Sequence, residues 1–179
     1  MSAVPAHGER VAADTLRFVR RLPGPIENVW EYLVDPEKRG LWLASGPTEP
    51  RVGGKIELHF QHRNLTPVVE PVPERWKSVE NGHIARETIT RYEPPYVFAF
   101  TWATEGTPSE VTFELSEEGK DVLLVLTHRR LDDRAELIGT AGGWHTHLDI
   151  LADRLHGRTP GPFWSAALRH DEYYEKRFV

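Results

Sequence analysis

Hydrophobic and polar positions change period twice along the 179-residue chain, and each change marks a new kind of element. A first strand is predicted over Thr15–Arg21. Beyond Leu22-Pro23-Gly24-Pro25, the residues Ile26, Val29, Trp30 and Leu33 recur at helical spacing, with Pro25 preset for the first turn. Asp35-Pro36 repeats the signal, Asp35 as N-cap and Pro36 as first residue of a second short helix ending near Trp42. After Gly53-Gly54 the period becomes two: Ile56, Leu58 and Phe60 alternate with Lys55, Glu57, His59 and Gln61, as a strand with one buried face requires. Further strands are predicted at Ile84–Arg91, Tyr96–Trp102, Glu110–Ser116 and Asp121–Arg129, separated by turns at Glu93-Pro94-Pro95, Gly106-Thr107-Pro108 and Glu117-Glu118-Gly119. Such short connections make neighbouring strands antiparallel. After Leu131 the period returns to 3.6: Leu137, Ala141, Trp144, Leu148, Leu151 and Leu155 form one stripe of a helix over about residues 134–156, stopped by Gly157.

Three segments stand outside this pattern. Residues 1–13 are small, polar and aperiodic and read as a flexible tail. Residues 63–81 carry Pro67, Pro71 and Pro73 but also Trp76, and read as an ordered excursion at the sheet margin, in the position of a flap. The last segment, 163–178, holds Phe163, Trp164, Tyr173, Tyr174 and Phe178, and is expected to pack as a helix on the domain or on a neighbouring subunit, the second case making a homodimer. The whole of 14–179 is expected to form one domain.

Composition narrows the function classes. A formal net charge of -5 with both signs interspersed leaves no electrostatic footprint for nucleic acid or anionic lipid. The absence of cysteine removes disulfides, thiolate metal sites and cysteine nucleophiles together, and a cytoplasmic location is expected. There is no apolar run of signal-peptide kind over Met1–Ala13, and membrane insertion is not expected.

One strand, two short helices, five antiparallel strands and a long helix give an α+β chain with a strongly bent sheet of about six strands, whose apolar face the helix must cover. In that order, Arg17–Arg21 leading to Pro25-Ile26-Glu27-Asn28-Val29-Trp30, then Asp35-Pro36-Glu37, Leu41-Trp42, Gly53-Gly54-Lys55 and Gly143-Trp144, resemble the START-like (SRPBCC) superfamily and its branch of heat-shock-protein ATPase activator homologues. The likeness runs from about Asp14 to His156. It implies a helix-grip fold with a central cavity, in a superfamily of lipid carriers, hormone receptors, polyketide cyclases and proteins that sequester toxic natural products. One fold with so many uses leaves the function to the site.

Candidate chemistry is sparse. No Gly-x-Ser-x-Gly elbow, phosphate-cradling loop or dinucleotide fingerprint occurs, so no catalytic residue and no cofactor is assigned. Among nine histidines, His145 and His147 lie two apart on a helix and point roughly 200° from each other, while His59 and His62 face opposite sides of a strand, so neither pair chelates one ion and no metal site is assigned. His128 shares the face of Leu126 and is a candidate polar anchor in the cavity, against the alternative of a hydrogen-bonded structural histidine. Gly142-Gly143 inside a helix costs up to about 1 kcal/mol per glycine relative to alanine. Either close packing on the sheet or a wall thinned for a ligand would offset it. Of six tryptophans, Trp42, Trp102 and Trp144 are assigned to the cavity, with Phe60, Phe113 and Leu148. Arg86 could grip an acidic group from inside, or sit on an exposed edge strand.

The leading reading is a binder of a small hydrophobic molecule, lipid-like or polyketide-like, with resistance by sequestration as one use. A cyclase or aromatase using pocket shape, His128 and Arg86 is the second reading. A co-chaperone activating a heat-shock ATPase is the third, ranked last because the separate domain expected of a full activator is not seen.

Overall fold

The structure, a computed structural model, describes residues 2–102 and 108–179. Seven strands, β1 (Glu9–Ala12), β2 (Thr15–Pro23), β3 (Lys55–Phe60), β4 (His83–Glu93), β5 (Val97–Trp102), β6 (Ser109–Glu118) and β7 (Asp121–Arg129), form one antiparallel sheet in the order β1-β2-β7-β6-β5-β4-β3. Helices α1 (Ile26–Val34) and α2 (Pro36–Gly40) follow β2 as predicted, the Asp35 side chain accepting from the Lys38 amide to start α2. α3 (Arg134–Leu155) crosses the sheet, and α4 (Phe163–Arg177) lies on α3. The turn predicted at Gly106-Thr107-Pro108 falls almost wholly outside the described residues.

Register explains why one face is continuous core. Leu16 pairs with His128, His128 with Val111, Val111 with Phe100 and Phe100 with Ile89, so a single inward row crosses five strands. Every member of that row is at most 1% exposed. Because side chains alternate along a strand, the next inward row is Phe18, Leu126, Phe113 and Phe98. α1 closes one end of this concave face: Trp30 meets Tyr92 and Phe98 at ring distances of 5.6 and 6.0 Å. The other end, where β5 finishes at Trp102, is left to α3 and the loops.

Two expectations need correction. The tail over residues 1–13 includes β1, and the sheet therefore has seven strands rather than about six. All four β1 residues are exposed, so its pairing is a main-chain affair with no hydrophobic period to read. Before it, Gly8 packs so tightly that a Cβ there would fall 2.3 Å from Phe18 Cζ, and its amide donates to the Tyr174 hydroxyl at 2.7 Å.

α3 is buried on two sides. Its predicted stripe faces the sheet, while His145, Thr146 and Ile150 are covered from the other side by α4 and its approach. α4 in turn is held by the 63–81 excursion. Its N-terminus lacks a side-chain cap of its own, and Glu70 supplies one from a distance, accepting from the Trp164 amide at 2.9 Å and the Ser165 hydroxyl at 2.5 Å. Trp76 stacks on Trp164 at 5.4 Å, and Arg75 pairs with Asp171 at 3.0 Å. The aromatic residues that made a second subunit conceivable, Phe163, Trp164 and Tyr174, are thus buried within the chain itself.

Candidate functional site

Between the Trp102 end of the sheet and the first half of α3 lies a cavity of about 280 Å³. Phe60 at the end of β3, His83 at the start of β4 and Trp102 at the end of β5 form its sheet side, with Leu43, His62 and Val79 from the connecting segments. α3 contributes Gly139, Thr140, Gly143, Trp144 and His147, which share one helical face. Phe60 and Trp102 meet edge to face at 5.9 Å, and Trp102 and Trp144 lie 5.2 Å apart, so three aromatic rings wall the space.

The paired glycines do two different jobs. A Cβ on Gly142 would fall 1.9 Å from Asp171 Oδ1, so that glycine permits α4 to approach. A Cβ on Gly143 or on Gly139 would meet nothing within 4 Å. These two glycines, one turn apart, hollow the α3 wall.

Of the residues assigned from sequence, Phe60, Trp102 and Trp144 line the cavity and the others do not. Trp42, Phe113 and Leu148 are at most 1% exposed in the core, Trp42 donating its indole N–H to the Tyr32 carbonyl at 2.7 Å. Periodicity gives the inward face of a strand or helix but not how far along the element the empty space begins. Arg86 points outward, 70% exposed, and pairs with Glu57 at 3.3 Å, its partner on β3. The inward position of β4 belongs instead to Glu87, which accepts from the Thr101 hydroxyl at 2.5 Å.

His128 stands one layer behind the wall. Trp144 donates its indole N–H to His128 Nδ1 at 2.9 Å, which leaves the imidazole proton on Nε2 to be given to Ser109 Oγ at 2.8 Å, and Ser109 in turn donates to the Trp102 carbonyl at 2.7 Å. Burial pulls the His128 pKa down to about 3, so the ring stays neutral and holds both tryptophans of the wall in place.

Sequence reasoning missed the polar end of the cavity. His147 donates Nδ1–H to the Trp42 carbonyl at 2.7 Å, which makes its Nε2 an acceptor. Burial, with His62 nearby, pulls its pKa to about 3. The His62 ring lies 5.8 Å from that of His147, and its Nδ1 is buried with no hydrogen-bond partner. Burial and neighbouring His83 hold His62 at about 4. Thr140 adds a hydroxyl from α3. His147 carried a signal in the sequence, since it shares the helical face of Trp144, Gly143 and Thr140; His62, expected on one strand with His59, lies instead in a short helical turn past the end of β3, where no period marks its direction.

A bent antiparallel sheet gripping a long C-terminal helix, with a cavity between them, defines the helix-grip, START-like class. Within it, the model of the family described as Activator of Hsp90 ATPase homolog 1-like protein matches residues 23–156, and the chain belongs to that family. The solution structure of the protein encoded by gene BPP1335 from Bordetella parapertussis is similar at 46% identity and a TM-score of 0.82, covering 98% of this chain and 95% of that one. CalU16 from Micromonospora echinospora is similar at 26% identity and a TM-score of 0.68, over 90% and 86% of the two chains. DynU16, from the dynemicin biosynthetic locus, shares the fold at 18% identity and a TM-score of 0.65, over 83% of this chain and 49% of its own. No curated protein matches the sequence significantly. Among the described residues, no helix is long and apolar enough to cross a membrane.

Proposed function

We propose that the protein binds a small, largely apolar molecule with an aromatic portion and a hydroxyl group, in the cavity between the Trp102 end of the sheet and α3. The observation that carries this reading is the wall itself: Phe60, Trp102 and Trp144 surround a space that Gly139 and Gly143 keep open, although each glycine costs about 1 kcal/mol in a helix interior. At about 280 Å³ the space lies near the lower end of small-molecule sites. The hydroxyl follows from the polar end. A neutral His147 with its Nδ1–H committed presents an acceptor, and a ligand O–H is the complementary donor. Among the described residues, the lining offers imidazoles and one hydroxyl but no carboxylate, which favours holding a ligand over carboxylate-assisted proton transfer. Sequestration or carriage of a natural product of lipid or polyketide kind is the use this supports.

The test is a titration of the purified protein with 1-naphthol, naphthalene, a medium-chain fatty acid and a panel of polyketides, following melting temperature and heat of binding. Binding to the folded state alone stabilises by about 2.7 kcal/mol at a ligand concentration of 100 times Kd. 1-Naphthol is expected to bind about tenfold more tightly than naphthalene, from one net hydrogen bond of about 1–1.5 kcal/mol. Trp102→Ala is expected to abolish the stabilisation. Failure of every compound to raise the melting temperature up to its solubility limit overturns the reading, and turnover of any polyketide redirects it to a cyclase.

A further inference from the structure

On the α4 side of α3, away from the cavity, three side chains converge that ligand binding does not use. His145 and Asp149, one turn apart on α3, meet His170 of α4. His145 Nε2 lies 3.6 Å and His170 Nε2 3.7 Å from the same oxygen, Asp149 Oδ2. The ligating atoms of all three fall within 4.8 Å of one another.

Both rings are aimed from behind. The Thr146 hydroxyl gives its hydrogen to the Gly142 carbonyl, so at 2.9 Å it accepts from His170 Nδ1 and leaves Nε2 facing Asp149. His145 Nδ1 shares a 2.8 Å hydrogen bond with the Tyr174 hydroxyl, which also accepts from the Gly8 amide. Partners that hold one ring nitrogen and so orient the other are what fix metal-bound histidines. The carboxylate is held too, since Arg20 approaches Oδ1 at 3.6 Å and leaves Oδ2 to the imidazoles.

We propose that His145, Asp149 and His170 form a site for one divalent transition-metal ion of the zinc class, with three protein ligands and an open fourth position. Two imidazoles and a carboxylate are a donor set that zinc accepts, at bond lengths of about 2.0–2.2 Å in tetrahedral geometry. Those lengths put neighbouring ligand atoms about 3.4 Å apart, and the observed 3.6 and 3.7 Å are within a few tenths of an ångström of it. The rings stack 3.8 Å apart and nearly parallel, so loading requires them to fan apart about χ2 until both lone pairs meet the ion. His145 must move its remaining proton to Nδ1, where the Tyr174 oxygen can accept it. Asp149 is half exposed and leaves the fourth position to water or to His7, whose ring lies 5.3 Å from that of His145. Arg20 already offsets the charge of Asp149, so the affinity is moderate. Through Tyr174 and Gly8, a bound ion would also tie α3 and α4 to the segment before β1.

The test uses the full chain without a histidine tag, treated with chelator and titrated with Co²⁺ and then Zn²⁺. Expected are one equivalent bound, the visible bands of low-coordinate cobalt, bleaching on zinc addition, and a melting temperature that rises to saturation at one equivalent. His170→Ala and the near-isosteric Asp149→Asn should each weaken binding at least tenfold, while His59→Ala, on β3 outside the cluster, should not. Circular dichroism separates a lost site from a lost fold, and Asp149→Asn decides if His170→Ala does not fold. Absence of saturable binding, or binding that survives both substitutions, overturns the site. Neither outcome depends on the cavity.

Discussion

Gly143→Ala separates the two roles a glycine can have in a helix, and its effects on stability and binding are expected to have opposite signs. The residue is in the interior of α3, where alanine is favoured over glycine by about 0.8–1 kcal/mol. The added Cβ meets no heavy atom within 4 Å, so no described residue opposes that gain. In a domain of this size about 1 kcal/mol raises the melting temperature by roughly 2–4 °C. The same methyl group projects into the 280 Å³ cavity. A ligand that filled this spot loses about one buried CH₂, about 0.8 kcal/mol, or about fourfold in affinity. Gly143→Leu extends the series: its four carbons displace up to about 3 kcal/mol of ligand burial, about two orders of magnitude in affinity. Gly142→Ala is the internal control, because its Cβ strikes Asp171 on α4 and not the cavity. It should forfeit the thermal gain and leave binding unchanged. The assay is a thermal melt and a 1-naphthol titration on all three variants. A Gly143→Ala protein that melts lower than wild type, or binds 1-naphthol as tightly, would refute the reasoning.

Three further outcomes follow from buried or half-buried polar groups. His128 is neutral with its pKa near 3 in the folded chain against an ordinary 6.5, so between those values the unfolded chain holds the extra proton and stability falls as pH falls. The groups facing His128 are Ser109, Trp102 and Trp144, none of them charged; acidifying from pH 7 to 5 should cost about 2 kcal/mol at this site, and His128→Gln, melted at both pH values, should lose that much less than wild type. Glu70→Ala removes the distant cap of α4 and should cost about 1 kcal/mol, with faster hydrogen exchange at the Trp164 and Ser165 amides as its local mark; unchanged exchange there would contradict the cap. Arg39, 1% exposed and held at a pKa of about 10 by burial, donates to the carbonyls of Ala44 and Gly46 and to the Thr48 hydroxyl, so Arg39→Leu should destabilise by about 2–4 kcal/mol in urea unfolding.

The sequence by itself determined the architecture. Alternation at Ile56, Leu58 and Phe60, and the 3.6-residue stripe through Trp144 and Leu148, are local consequences of backbone geometry, and composition could not have hidden them. It also showed that one strand face and one helix face must meet, and that Gly142-Gly143 needed compensation. Tertiary structure alone decided where the empty space falls. Trp42, Phe113 and Leu148 share the inward pattern of Phe60, Trp102 and Trp144, yet α1 and the core fill the space around the first three, while Gly139 and Gly143 leave it open beside the others. The histidine cluster has the same origin. His145 and His147 do face opposite ways on α3, as helical geometry demands, but α4 brings His170 to one side and the end of β3 brings His62 to the other. Side-chain direction is set within a few residues of chain and can be read locally. Which distant element arrives to meet a side chain depends on long-range packing, and no periodicity encodes it.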